Sequence, residues 1–168
     1  MIAVVDARGR FLYINCRVPG SCHDSSIWRR SQASRIFESG RATPGYRLLG
    51  DAGFANSASI VTPYRRMAAE RDERKARFNL EHAEGRVVVE QAFGALKRRF
   101  GILENIARIE PPKVQQVIQA CAILYNISIL VGAQDGLPLS GVRVAEAPLP
   151  PPRAEPRDYL AQSFLLSM

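Results

Sequence analysis

The sequence predicts an α/β protein with strands first and helices after, folded over residues 1–131 and followed by a proline-rich tail over residues 132–168. Three observations predict it. Two short apolar runs flank a turn at the start of the chain. A third apolar run leads directly into Gly50-Asp51-Ala52-Gly53. From Val87 onward, apolar residues recur at helical spacing as far as Val131.

Taken in order, Ile2-Ala3-Val4-Val5 reads as a buried strand and Asp6-Ala7-Arg8-Gly9 as a turn, with Asp first and Gly fourth. Phe11-Leu12-Tyr13-Ile14-Asn15 completes a β-hairpin, which Pro19-Gly20-Ser21 breaks. Ile27, Trp28, Ile36 and Phe37 mark one helix over residues 25–38, capped by Asp24 or Ser25. Residues 41–45 read as a loop. Tyr46-Arg47-Leu48-Leu49-Gly50 is a third strand, and Ile60-Val61-Thr62 a fourth, stopped by Pro63. A charged stretch over residues 65–82 precedes a long helix with Val88, Val89, Ala92, Phe93, Leu96 and Phe100 on its apolar face. Pro111-Pro112 opens another helix, carried by Val114, Val117, Ile118, Cys121, Leu124 and Ile127. Ala147-Pro148-Leu149-Pro150-Pro151-Pro152 then reads as a semi-extended linker.

The 168 residues suffice for one domain with a buried core, and 46% hydrophobic with 23% charged residues is ordinary for a globular chain. No run approaches the roughly 18 apolar residues that span a bilayer, and residues 1–6 are too short for a signal peptide. Cys16, Cys22 and Cys121 are odd in number and irregular in spacing, against a disulfide framework. Cys16, Cys22 and His23, with His82 as the other histidine, lack the paired spacing of a zinc site. The formal charge is +7, and Arg65, Arg66, Arg71, Arg74, Lys75, Arg77, Arg86, Lys97, Arg98 and Arg99 crowd one third of the chain. That excess favours a polyanionic partner.

Two carboxylates stand out. Asp51 follows a buried strand, where α/β folds present ligand-binding groups. Its plainer role is to form the turn before Gly53. Glu90 interrupts the apolar run Val87-Val88-Val89-Glu90-Gln91-Ala92-Phe93, and its plainer role is a solvated helix surface. Hard carboxylate oxygens from a strand end and a helix suit Mg²⁺. Two such ions about 4 Å apart clamp the attacking and leaving oxygens of a phosphodiester. Arg86, Gly94 and Lys97 share the helix face of Glu90, so Arg86 and Lys97 are placed to meet phosphates while Gly94 permits close approach.

Three segments then resemble the PIF/Harbinger transposase-derived nucleases, in that family's order and approximate spacing. They are Val18-Pro19-Gly20-Ser21-Cys22-His23-Asp24-Ser25, Leu48-Leu49-Gly50-Asp51-Ala52-Gly53-Phe54, and the run from Val88-Val89-Glu90-Gln91 through Lys97-Arg98-Arg99-Phe100. The segment Gln119-Ala120-Cys121-Ala122-Ile123-Leu124-Tyr125-Asn126-Ile127 fits as well, so the resemblance covers residues 2–130. It implies an RNase H-like DDE nuclease that cuts DNA with a divalent metal, Mg²⁺ or Mn²⁺. Asp51 and Glu90 take the second and third acid positions as metal ligands, and Asp24 stands near the site as a candidate further ligand. Arg86, Lys97 and Arg98 lie on the DNA backbone. The nucleophile is water or a DNA 3′-OH.

The family's first acid lies on a strand before the hairpin, and this chain opens at the hairpin. Asp6 belongs to the hairpin turn and Asp24 to a helix start, so neither replaces it. The expectation is an RNase H-like fold lacking its first, central strand, with two edges short of backbone partners. The chain alone is then inactive, or a catalytically inactive DNA- or protein-binding remnant. Tyr125, where the family often has His, and Phe54 read as structural departures. The resemblance further implies DNA as partner, a separate Myb-like DNA-binding protein, a nuclear setting with some cytoplasmic presence, and room for a homo-oligomer.

Overall fold

The computed structural model describes residues 1–16, 22–42, 46–104 and 109–132, together with Arg157. The Val18-Pro19-Gly20-Ser21 break, most of the loop at residues 41–45 and the proline-rich tail lie outside the described residues. The chain divides into two compact units, Met1–Cys22 with Val87–Val142, and His23–Arg86 with Arg143–Met168.

In the first unit, β1 (Ile2–Val5) and β2 (Phe11–Asn15) pair antiparallel, with a register shift between Val4 and Val5. Their turn is built on Asp6. Its Oδ1 accepts the N–H groups of Arg8 and Arg10, both at 2.9 Å, and its Oδ2 meets the Arg10 guanidinium at 2.7 Å. Gly9 takes φ 77°, a conformation costly for other residues. Every acceptor of Asp6 is thus spent on the turn, as expected of a turn residue.

The same unit holds residues 87–99 of the long helix α4 (Glu73–Arg99), a 3₁₀ turn at Gly101–Leu103, and α5 (Pro111–Leu130), which starts on two prolines as expected. Phe11, Ala92, Ala95, Leu96, Cys121, Ala122 and Tyr125 form its core. The Phe11 ring meets Phe93 and Tyr125 edge-on at centroid distances of 5.2 and 5.6 Å. Asn126 ties α5 to the hairpin, because its amide accepts from Phe11 N–H at 2.9 Å and donates to Phe11 C=O at 2.8 Å. Tyr125 is therefore structural, and so is the buried Cys121.

In the second unit the helix expected over residues 25–38 is two helices, α1 (Asp24–Arg29) and α2 (Gln32–Glu38). Ser31 divides them, because its Oγ accepts from Ser34 N–H at 3.0 Å and caps α2. The N-cap of α1 is His23, with no side-chain hydrogen bond, so neither Asp24 nor Ser25 caps it. Strands β3 (Leu48–Leu49) and β4 (Ile60–Val61) pair in parallel and are shorter than the sequence suggested. The charged stretch is helical, as α3 (Arg66–Glu70) and the first half of α4. Ion pairs one turn apart, Arg66–Glu70 at 2.7 Å and Arg77–Glu81 at 3.3 Å, support it.

Val61, Tyr64 and Phe78 form one buried cluster of this unit. Asn79 repeats the device of Asn126, accepting from Tyr64 N–H at 2.8 Å and donating to Tyr64 C=O at 2.9 Å. The α/β character agrees with the sequence. Both strand directions of a mixed sheet are present, yet the four strands pair two by two rather than in one sheet. The strand that the resemblance sets between the hairpin and β3 has no counterpart among the described residues. Among those residues no helix is long and apolar enough to cross a membrane.

Candidate metal and nucleic-acid site

Gly50 follows β3, buried, with its N–H donating to Val61 C=O at 2.9 Å. A Cβ there would lie 2.5 Å from Ile60 Cγ2, so the parallel pair closes this tightly because residue 50 is glycine. The backbone then turns out through Asp51-Ala52-Gly53-Phe54, with Phe54 N–H donating to Asp51 C=O at 3.1 Å. Asp51 Oδ1 accepts from Gly53 N–H at 2.8 Å. The turn-forming role weighed for Asp51 is therefore real, and it occupies one carboxylate oxygen. Oδ2 faces Arg86 Nη1 at 3.8 Å, a loose and partly solvated pair of little stability value.

Asp24 stands in the first turn of α1, where a carboxylate is favoured by the helix dipole. The neighbouring Ser25 hydroxyl donates to Gly53 C=O at 2.7 Å, so α1 is pinned to the turn that carries Asp51. A carbon placed on Gly53 would sit 3.0 Å from Asp51 Oδ1 and 3.2 Å from Asp24 Oδ2. The two carboxylates thus open onto one small space, roofed by a residue without a side chain. Asp24, Asp51 and Arg86 are brought together within this unit.

One residue there went unassigned in the sequence. His82 is buried, and its Nε2 lies 3.1 Å from Val61 C=O, so that nitrogen carries the proton. Burial lowers the pKa of the imidazole below the ordinary value of 6.5, and the Arg86 charge adds to this. Backbone hydrogen bonds to Val61 and Gly50 and the Asp51 charge oppose it. The signal for His82 was its place exactly one turn before Arg86 and two before Glu90. Gly85 completes this stretch of α4, since a Cβ there would lie 2.6 Å from Leu49 Cδ1.

In the other unit Glu90, Lys97 and Arg98 lie exposed along α4, and Lys97, Arg98 and Arg99 fill its last turn. At Gly94 a Cβ would meet only the Arg98 guanidinium, at 3.4 Å. Its surroundings are otherwise open, whereas Gly85 packs against Leu49. Burial raises the Tyr125 pKa, with Arg98 and Arg99 acting against it. Among the described residues no three His, Cys, Asp or Glu side chains are grouped to hold a metal ion. The Asp24–Asp51 pair offers the oxygen donors that a hard cation takes.

Residues 1–126 match the family described as DDE superfamily endonuclease. The chain belongs to this family. The match spans Asp24, Asp51 and Glu90. The chain is 30% identical to human HARBI1, named as a nuclease, over 131 residues, which are 76% of the chain and 36% of the relative. Mouse HARBI1 is 28% identical over 158 residues, 92% of the chain and 42% of the relative. A protein named ALP1-like from Arabidopsis thaliana is 28% identical over 153 residues, 82% and 37% of the two chains. The chain thus spans about two fifths of the length of these relatives. No solved structure matches it.

Proposed function

We propose that this chain is the catalytic-domain portion of a transposase-derived DNA endonuclease of RNase H-like ancestry, working with Mg²⁺ or Mn²⁺. The observation that carries the reading is Asp51 at the end of β3, its carboxylate opening with that of Asp24 onto the space over Gly53, in a chain of the DDE endonuclease family. By the family resemblance Asp51 and Glu90 are the metal's carboxylates, and Asp24 stands by Asp51 as a further oxygen donor. A bound divalent ion supplies Lewis acidity for phosphodiester hydrolysis. Arg86, now loosely paired with Asp51, turns to a DNA phosphate when the carboxylate is engaged, and Lys97 and Arg98 hold phosphates further along α4. DNA is the substrate, the nucleus is the place of action, and a Myb-like protein supplies target recognition.

The test is nicking of supercoiled plasmid by the purified chain, with and without Mg²⁺ or Mn²⁺. Cleavage that requires the metal and falls at least about a hundred-fold in Asp51→Asn supports the reading. DNA binding without cleavage at any metal concentration would make the chain a binding remnant of its family.

A further inference from the structure

We propose that His82 is a positioning residue for the metal-binding carboxylate, holding the end of β3 so that Asp51 is delivered in one orientation. The inference rests on the reading of Asp51 given above and adds a residue to it. Val61 C=O already accepts the Gly50 N–H at 2.9 Å, which closes the last rung of the β3–β4 ladder. That carbonyl is satisfied without His82. The imidazole adds a second donor at 3.1 Å on the other lone pair, from a different element. It thus shares the Val61 C=O acceptor with the N–H of Gly50, the residue directly before Asp51.

The ring itself has no freedom to wander. It is buried and stacks at a tilt on Phe78 with centroids 5.8 Å apart, while Phe78 meets Tyr64 edge-on at 5.4 Å. One turn later, the absent side chain of Gly85 admits Leu49 of β3, and Arg86 faces Asp51 Oδ2 at 3.8 Å. Successive turns of α4 therefore grip the strand pair by a hydrogen bond and by packing. An apolar side chain of similar bulk would fill the same volume and lose the hydrogen bond alone. Outer residues that orient metal ligands contribute about ten- to a hundred-fold to metal affinity.

The experiment compares the full chain with His82→Phe, which keeps the ring, and His82→Gln, which keeps a donor. Amide hydrogen exchange at Gly53, whose N–H is held by Asp51 Oδ1, is read by NMR without metal, and Mn²⁺ affinity by calorimetry. In His82→Phe the Gly53 amide loses protection and Mn²⁺ binds at least about ten-fold more weakly. His82→Gln restores most of both. Wild-type Gly53 protection in His82→Phe, or failure of His82→Gln to restore it, overturns the proposal. Should His82→Phe not fold, wild-type Gly53 protection in His82→Gln supports the proposal and its loss overturns it. If the wild type binds no Mn²⁺ while the Gly53 effect is present, the metal reading fails and the positioning role stands.

Discussion

The surroundings of His82 favour, on balance, a neutral ring. Burial dominates, the Arg86 cation acts in the same direction, and the backbone bonds with Asp51 only partly offset them. The folded pKa thus lies below the unfolded one, so the unfolded chain binds the extra proton first. Stability contributed by the neutral ring is present above about pH 6.5 and is lost as pH falls below it. The thermal midpoint of the wild type is expected to drop between about pH 7.5 and about pH 5.5, and to drop less in His82→Gln. Equal drops in the two proteins would refute the assignment. At this scale Asp51 was legible because a carboxylate after an apolar run and before Gly53 is a compact signal. His82 was not, since a lone histidine closing a charged stretch looks solvated until its carbonyl partner is known.

Among the elements, α5 packs into its unit's core and is also tied to the hairpin by one amide. Asn126 satisfies both the N–H and the C=O of Phe11, as a neighbouring strand would, and Phe11 also anchors the core through Phe93 and Tyr125. Asn126→Ala leaves both backbone groups without that partner and is expected to cost about 1–3 kcal/mol in urea unfolding. Asn126→Asp keeps the acceptor but sets an oxygen against Phe11 C=O, so it recovers less than half of that loss. An Asn126→Ala protein as stable as the wild type would show the clamp to be idle. The helices with strong apolar periodicity were readable, α5 to within a residue of its end. The split at Ser31 was hidden because Ile27, Trp28, Ile36 and Phe37 keep helical spacing across a capping serine. The first half of α4 was hidden because its faces are laced with Arg–Glu pairs and carry little hydrophobic contrast. The two-residue strands β3 and β4 depend on each other and on Gly50, a long-range condition that local pattern does not encode.

For the molecule as a whole, the +7 charge and the exposed Lys97-Arg98-Arg99 turn set the expected mode of association. Binding to duplex DNA should weaken steeply with salt, with a log–log slope near −0.9 per phosphate contact. The double variant Lys97→Ala, Arg98→Ala is expected to lower the magnitude of that slope by about 2, across unrelated DNA sequences alike. An unchanged slope would place the phosphate contacts elsewhere on the chain. Family membership was legible because several motifs in series carry it. Strand pairing was not, since it joins segments distant in the chain, and the four strands form two ladders. The central proposal is that Asp51 and Glu90, the two acids given by the family resemblance, are metal ligands. Calorimetric titration of Mn²⁺ into the wild type and an Asp51→Asn, Glu90→Gln double variant tests it most directly. Saturable binding by the wild type that disappears in the double variant is the predicted result. Equal binding by the two proteins, or none by either, would contradict it.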